Sequence, residues 1–252
     1  MKWLILLLLA ANPSYANAPT VFAKSLIRVA VIDTGKPIIT DAPVCPTGHK
    51  DFSGLGIRDT HGHSGHIADV LDQHVKQKLR TSLFNANRDN SEFNKDIGYC
   101  IVFFKYYNEL ATGTENLIAS NQALEEATRQ KVDVIVYAGG GAAYDHREAR
   151  AVKAALNAGI KMIAAAGNEG MDTSIHPYFP AQYDSRIQMV GNLTSSGSRG
   201  PLSNFGPRVS FWEVGTSVLA KVNGKPMYMT GTSQATAVRA GKVVRELIRS
   251  RK

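Results

Sequence analysis

The stretch DTHGHSGHIADV, residues 59–70, places His61, His63 and His66 within six positions. Imidazole is the commonest metal ligand and also the side chain that moves protons near neutral pH. H-x-H-x-x-H is a plausible ligand spacing. The same residues also read as G-H-x-x-H, an aliphatic residue and an alanine, the start of a helix that carries one catalytic base. The two readings need different company. A metal site needs further His, Cys or acidic ligands. A base needs a nucleophile within reach and a third group to orient it.

The metal reading finds little support elsewhere in the chain. His49, His74, His146 and His176 form no recognisable ligand pair. Metallo-β-lactamase-like hydrolases share the histidine spacing but carry an acid directly before the last histidine, where this chain has Gly65. The nucleophile reading finds three partners. MTGTSQATAV (229–238) puts Ser233 after Gly231 and Thr232 at the start of a helical pattern. Unpaired N–H groups there favour developing negative charge. IAAAGNEG (163–170) places Asn168 on a glycine-flanked turn, where its amide can donate to an oxyanion. VAVIDTG (29–35) places Asp33 at a strand end before Gly35. Singly, these residues read as an N-cap serine, a turn asparagine and a turn aspartate. Together they form a set.

The elements that must position this set alternate. Apolar strands are expected at 26–33, 99–107, 132–141, 161–168, 186–192 and 208–215. Helices are expected at about 63–79, 114–130 with Thr114 as N-cap, 145–158 and 233–249. Ile67, Val70, Leu71, Val75 and Leu79 give the first helix an inward stripe, and Val238, Val243, Val244, Leu247 and Ile248 give one to the last. Continuous apolar strands separated by helices imply an α/β fold with a mostly parallel central sheet and helices on both faces, a three-layer sandwich. In such folds the site lies beyond the carboxyl ends of the strands, where Asp33, Asn168 and Gly139–Gly141 fall.

On these residues the chain resembles the subtilisin-like serine proteases, the subtilases of peptidase family S8. VAVIDTG is similar to the family's Asp motif, GHSGHIA to G-H-G-T-H-V-A, AAAGNEG to its oxyanion motif and GTSQATA to G-T-S-M-A-T/S-P. VDVIVYAGGG, YFPAQYD, LSNFGP and WEVGTSV match further family segments, and the whole series spans residues 27–244 in the order Asp, His, Asn, Ser. That order separates the chain from chymotrypsin-like and α/β-hydrolase sequences. The resemblance implies a serine endopeptidase with Asp33, His63 and Ser233 as the catalytic triad and Asn168 in the oxyanion hole. His61 and His66 then lie outside the chemistry, and no metal is expected.

The resemblance also implies an extended peptide or protein substrate. Ala138, Gly139, Gly140 and Gly141, with Ala164, Ala165 and Ala166, would pair with its backbone. Tyr178 and Phe179 would build a specificity pocket preferring apolar or aromatic side chains before the cut. Departures from the family pattern are Ala138 for serine, Asp69 for glycine, and Ala237 and Val238 for Pro and His. No cofactor is expected; calcium, bound by many relatives in a loop that interrupts the helix after the histidine, has no such loop here. The alternative from another class is a catalytically silent subtilase-fold protein that binds peptides without cutting.

Bulk properties set the context. The chain has 252 residues, 44% of them hydrophobic and 20% charged, enough for a full core. The formal net charge of +8 is scattered apart from the tail RELIRSRK, and no stretch interleaves basic and aromatic residues as a nucleic-acid groove would. Nucleic acid is not an expected partner. Residues 1–16 have Lys2, an apolar run from Trp3 to Ala11 and small residues at Ser14 and Ala16, the pattern of a secretory signal cleaved after Ala16, or alternatively after Ala18. Residues 19–252 then form a single subtilase catalytic domain without a pro-domain or membrane anchor. Export to the periplasm or the extracellular space follows, and a monomer is expected, folding unaided or with a separate folding partner or inhibitor. In an oxidising compartment Cys45 and Cys100 form a disulfide or remain two buried thiols; spacing does not decide which.

Overall fold

The computed structural model describes residues 26–83 and 98–251, with side chains left undescribed at 78–83. The expected signal segment lies outside them. Seven parallel strands form the central sheet: β1 (Ile27–Asp33), β2 (Lys50–Asp51), β3 (Tyr99–Lys105), β4 (Val134–Tyr137), β5 (Lys161–Ala165), β6 (Gln188–Leu193) and β7 (Phe211–Val214). Their spatial order is β2-β3-β1-β4-β5-β6-β7. All seven residues of β3 and all four of β4 are buried, and β1 is nearly as closed, because helices cover both faces.

Helices α1 (His63–Leu83) and α4 (Thr232–Ser250) cover one face. Ile67, Val70, Leu71 and Val75 pack there with Val243 and Val244 against Val29, Val31 and Phe103. Helices α2 (Gly113–Arg129) and α3 (His146–Asn157) cover the other, where Leu124, Ala127, Val152 and Ala155 meet Ala30, Ile32, Val102 and Ile135. Each fully buried Val, Leu, Ile or Phe among them contributes roughly 1.5–3 kcal/mol. The expected three-layer α/β architecture is therefore the observed one. α1 and α4 approach closely at Gly241, where an added Cβ would lie 2.6 Å from His74 Cβ and from the Leu71 carbonyl oxygen.

Two local details depart from expectation. Thr112, not Thr114, caps α2: its hydroxyl accepts from the Glu115 N–H while the Glu115 carboxylate accepts from the Thr112 N–H, a capping box. An antiparallel hairpin, β8 (Val218–Val222) and β9 (Lys225–Met229), sits between β7 and α4, turning at Asn223 and Gly224 in left-handed conformations. Cys45 and Cys100 are joined in a disulfide, with Cα atoms 4.9 Å apart and a sequence separation of 55. On the chain-entropy view, closing a loop of that size stabilises the fold by about 4 kcal/mol.

The topology fixes where chemistry can occur. β1 has β3 on one side and β4 on the other, so the strand order reverses there. A crevice opens beyond the carboxyl end at such a reversal. Asp33 is the last residue of β1. α1 starts at that same edge, where His63 meets Asp33, and the first turn of α4 is placed there by the bond from Ser233 to Ala138, the residue after β4.

Candidate active site

Asp33 is 4% exposed and faces His63, the first residue of α1. His63 Nδ1 lies 2.7 Å from Asp33 Oδ1 and 2.9 Å from Oδ2, and the Thr34 N–H donates to Oδ1 at 2.7 Å. The carboxylate therefore selects the tautomer with its proton on Nδ1 and leaves Nε2 free to accept. Burial alone would lower the proton affinity of His63. The charge and hydrogen bond of Asp33, joined by the charge of Asp59, outweigh it and raise His63 above the ordinary histidine value.

A second layer holds this pair. The Asp59 carboxylate, 1% exposed, accepts from Gly62 N–H (2.7 Å), Gly65 N–H (2.9 Å) and the Thr34 hydroxyl (2.9 Å). The Thr34 oxygen in turn accepts from Ser64 N–H at 3.0 Å. Asp59 thus satisfies N–H groups of the first turn of α1 while anchoring the residue after Asp33. The sequence reading missed both residues, although an acid three positions before a glycine that opens a helix is a capping signal. Replacing Asp59 by Asn removes a negative charge, so the proton on His63 is held less tightly. An NMR titration of the His63 ring should give a midpoint above the ordinary value of about 6.5 in the native protein. It should give a lower midpoint in Asp59→Asn, and a midpoint that stays or rises would contradict this assignment.

Ser233 is the second residue of α4 and is 9% exposed. The helix is capped by Gly231, which has no side chain to offer, so Ser233 is not an N-cap. Its hydroxyl donates to the Ala138 carbonyl at 2.6 Å, and no hydrogen bond joins it to His63. Thr232, fully buried, donates to Asn168 Oδ1 from both its N–H (2.8 Å) and its hydroxyl (3.2 Å). Its hydroxyl oxygen also accepts from the Gly167 N–H at 3.2 Å. With Oδ1 engaged in this way, the side-chain NH₂ of the exposed Asn168 is left to donate, as is the Ser233 N–H in the first turn of α4. Two donors so placed can hold an oxyanion.

The remaining expected residues divide. Ala138–Gly141 leave the end of β4 and become progressively exposed. The Gly141 N–H and carbonyl are already paired with Phe179, at 2.9 and 2.7 Å, so a peptide has Ala138, Gly139 and Gly140 to pair with. Ala164–Ala166 do not offer an edge. Ala164 is registered with Tyr137 on one side and Met189 on the other, Ala165 with Val190, and the Ala166 N–H donates to Val190. They are 0%, 2% and 0% exposed. The expectation that they pair with substrate is corrected, because β5 lies inside the sheet.

The three histidines separate. His66 is fully buried, with Nε2 3.2 Å from the carbonyls of Val218 and Met227, and so ties α1 to both strands of the hairpin. Burial lowers its proton affinity. His61 is exposed, its ring 6.2 Å from that of His63 and 6.1 Å from that of Tyr107. Among the described residues no group of His, Cys, Asp or Glu is arranged to hold a metal. α1 runs from His63 to Leu83 without interruption.

Comparison with known proteins accords with this geometry. The model of the Subtilase family matches residues 101–247. Subtilisin DY of Bacillus licheniformis is 30% identical over 221 residues, covering 85% of this chain and 74% of its own. A thermostable alkaline protease of Halalkalibacterium halodurans is 27% identical over 225 residues, covering 89% of this chain but only 57% of its own. The alkaline proteinase of Hapsidospora chrysogena is matched over 51% of its length, so the chain spans little more than half of some curated relatives. A cold-adapted subtilisin-like serine proteinase of known structure superposes with a TM-score of 0.69 at 22% identity, covering 95% of this chain and 80% of its own. The arrangement of acid, imidazole, hydroxyl and amide on a doubly wound parallel sheet defines the class. The chain belongs to the subtilase family.

Proposed function

We propose that the protein is an exported serine endopeptidase. The observation that carries this reading is the convergence of four groups at one end of the sheet: Asp33 bonded to His63, and Ser233 beside the free amide of Asn168. Ser233 Oγ attacks the carbonyl carbon of an extended peptide, and its proton passes to His63 Nε2. Asp33 stabilises the imidazolium that forms. The Asn168 amide and the Ser233 N–H receive the oxyanion. Collapse breaks the C–N bond, the leaving amine takes the proton from His63, and water, activated by the same base, releases the acyl group.

The bond from Ser233 to Ala138 fits this sequence of events. A peptide that pairs with the strand end supplies its own N–H to the Ala138 carbonyl. The hydroxyl is displaced and turns to His63. Hydrogen bonds of this kind are often unmade until substrate binds. The same bond is the one observation that favours a silent peptide-binding protein, in which the hydroxyl never leaves Ala138.

Export is supported by the composition of residues 1–16 and by the Cys45–Cys100 disulfide, which suits an oxidising compartment. No helix among the described residues is long and apolar enough to cross a membrane. We propose no metal or cofactor for the reaction. Hydrolysis of an unfolded protein such as reduced casein tests the reading. Cleavage unchanged by a chelator but stopped by a serine-directed inhibitor is expected. Cleavage abolished by the chelator and restored by a metal would overturn it.

A further inference from the structure

The two segments that flank the reacting groups are joined by one aromatic ring. Gly139 and Gly140 follow the carbonyl that holds Ser233, and Gly167 precedes Asn168. A Cβ added to Gly140 would lie 2.5 Å from Tyr178 Cε1, and one added to Gly167 would lie 2.7 Å from Tyr178 Cε2. Opposite edges of the ring therefore touch opposite walls, and each wall is a glycine at the point of contact. Both glycines have positive φ, 148° and 98°, a conformation that side chains disfavour in any case.

The ring is also held in place. The Tyr178 N–H donates to Gln182 Oε1 at 2.5 Å, and the Gln182 side-chain amide donates to the Thr173 carbonyl at 3.0 Å. Next to it, Phe179 is paired with Gly141 through both backbone groups. The inner part of Tyr178 packs on the core formed with α2 and α3.

A substrate whose carbonyl carbon meets Ser233 and whose oxygen meets Asn168 has only one Cα between that carbonyl and its side chain. Gly139–Gly140 on one side and Gly167 on the other bound a gap beside these groups that such a side chain would have to enter. We propose that Tyr178 fills this gap and is the specificity-determining residue, restricting cleavage to bonds that follow small residues: Gly, Ala or Ser. The inference rests on the protease reading and replaces the preference for apolar or aromatic side chains that the family resemblance implied with one for small side chains.

The test is a set of peptides differing only in the residue before the cut: Gly, Ala, Leu and Phe. A single methylene that a pocket must accommodate or reject is worth about 10–200-fold in kcat/KM, so the native protein should cleave after Ala at least about tenfold faster than after Phe. Tyr178→Ala and Tyr178→Gly should raise the Phe-to-Ala ratio at least about tenfold. Tyr178→Phe, which keeps the ring, should leave the profile unchanged. Labelling of each variant by a fluorophosphonate reports whether its site is assembled. Native protein that labels but cleaves equally well after Phe overturns the proposal and leaves the protease reading standing. So does a Phe-to-Ala ratio that stays fixed in labelled Tyr178→Ala and Tyr178→Gly. Native protein that neither labels nor cleaves any peptide overturns both.

Discussion

Ser233→Ala is expected to lower kcat by about 10⁶, with little change in KM. That scale is the loss measured in subtilisin, a relative. No neighbour can take over as nucleophile. The Thr232 hydroxyl is one residue away, but it is fully buried and committed to Asn168 and Gly167. Residual turnover of about 10³–10⁴ over water should remain, because the oxyanion donors survive the substitution. The change also leaves the buried Ala138 carbonyl without the donor it has in the free protein, at 2.6 Å. Leaving such an acceptor unpaired costs about 1–3 kcal/mol, so a thermal melt must accompany the kinetics. A folded Ser233→Ala protein that keeps activity within tenfold of native would remove Ser233 from the mechanism.

Asp33→Asn carries the second large effect, a fall in kcat of about 10⁴. Asp33 accepts from His63 Nδ1 through both oxygens, so the carboxylate fixes the tautomer. An asparagine at that position can direct its NH₂ at Nδ1. Nδ1 must then accept, the ring proton moves to Nε2, and Nε2 can no longer take the serine proton. The lost negative charge should also lower the His63 titration midpoint, since Asp33 is the main influence that raises it against burial. A steady-state assay paired with the ring titration checks both outcomes. A loss of tenfold or less, or an unmoved midpoint, would mean that Asp33 does not orient His63.

The parts of the fold with strong periodicity were legible from the residues alone. β1, β3 and β4 are apolar apart from Arg28, Asp33 and Lys105 because both faces are covered. The helical stripe of α1 was clear because Ile67, Leu71 and Val75 recur at four-residue steps. The hairpin was not found. β8 and β9 bury little beyond Ala220, so neither shows the alternation of a half-buried strand, and Pro226 interrupts the second. The Asn223-Gly224 turn was its one signal. T-x-x-E at 112–115 spells out the α2 capping box two residues before the expected cap, Thr114.

The reacting groups were legible because each sits near where a strand ends or a helix begins, within two residues of a glycine. Their supports were less so. Thr34, Asp59 and Thr232 act through hydrogen bonds between segments far apart in sequence, such as that from Thr34 to Asp59 across 25 residues. The expected pairing of the Ala164–Ala166 backbone with substrate is not found for a related reason. Small residues at a strand end suggest an open edge, but whether neighbouring strands occupy that edge depends on sheet order, and β5 lies between β4 and β6.

The most direct test of the central claim is covalent labelling by a fluorophosphonate. The chain lacking residues 1–16 would be treated with the probe, and the modified residue located by mass spectrometry. Ser233→Ala and a chelator-treated sample would run alongside. The account predicts a single adduct on Ser233, absent from Ser233→Ala and unaffected by the chelator. A folded native protein that takes no label, or takes it elsewhere, would contradict the claim that Asp33, His63 and Ser233 form an activated nucleophile.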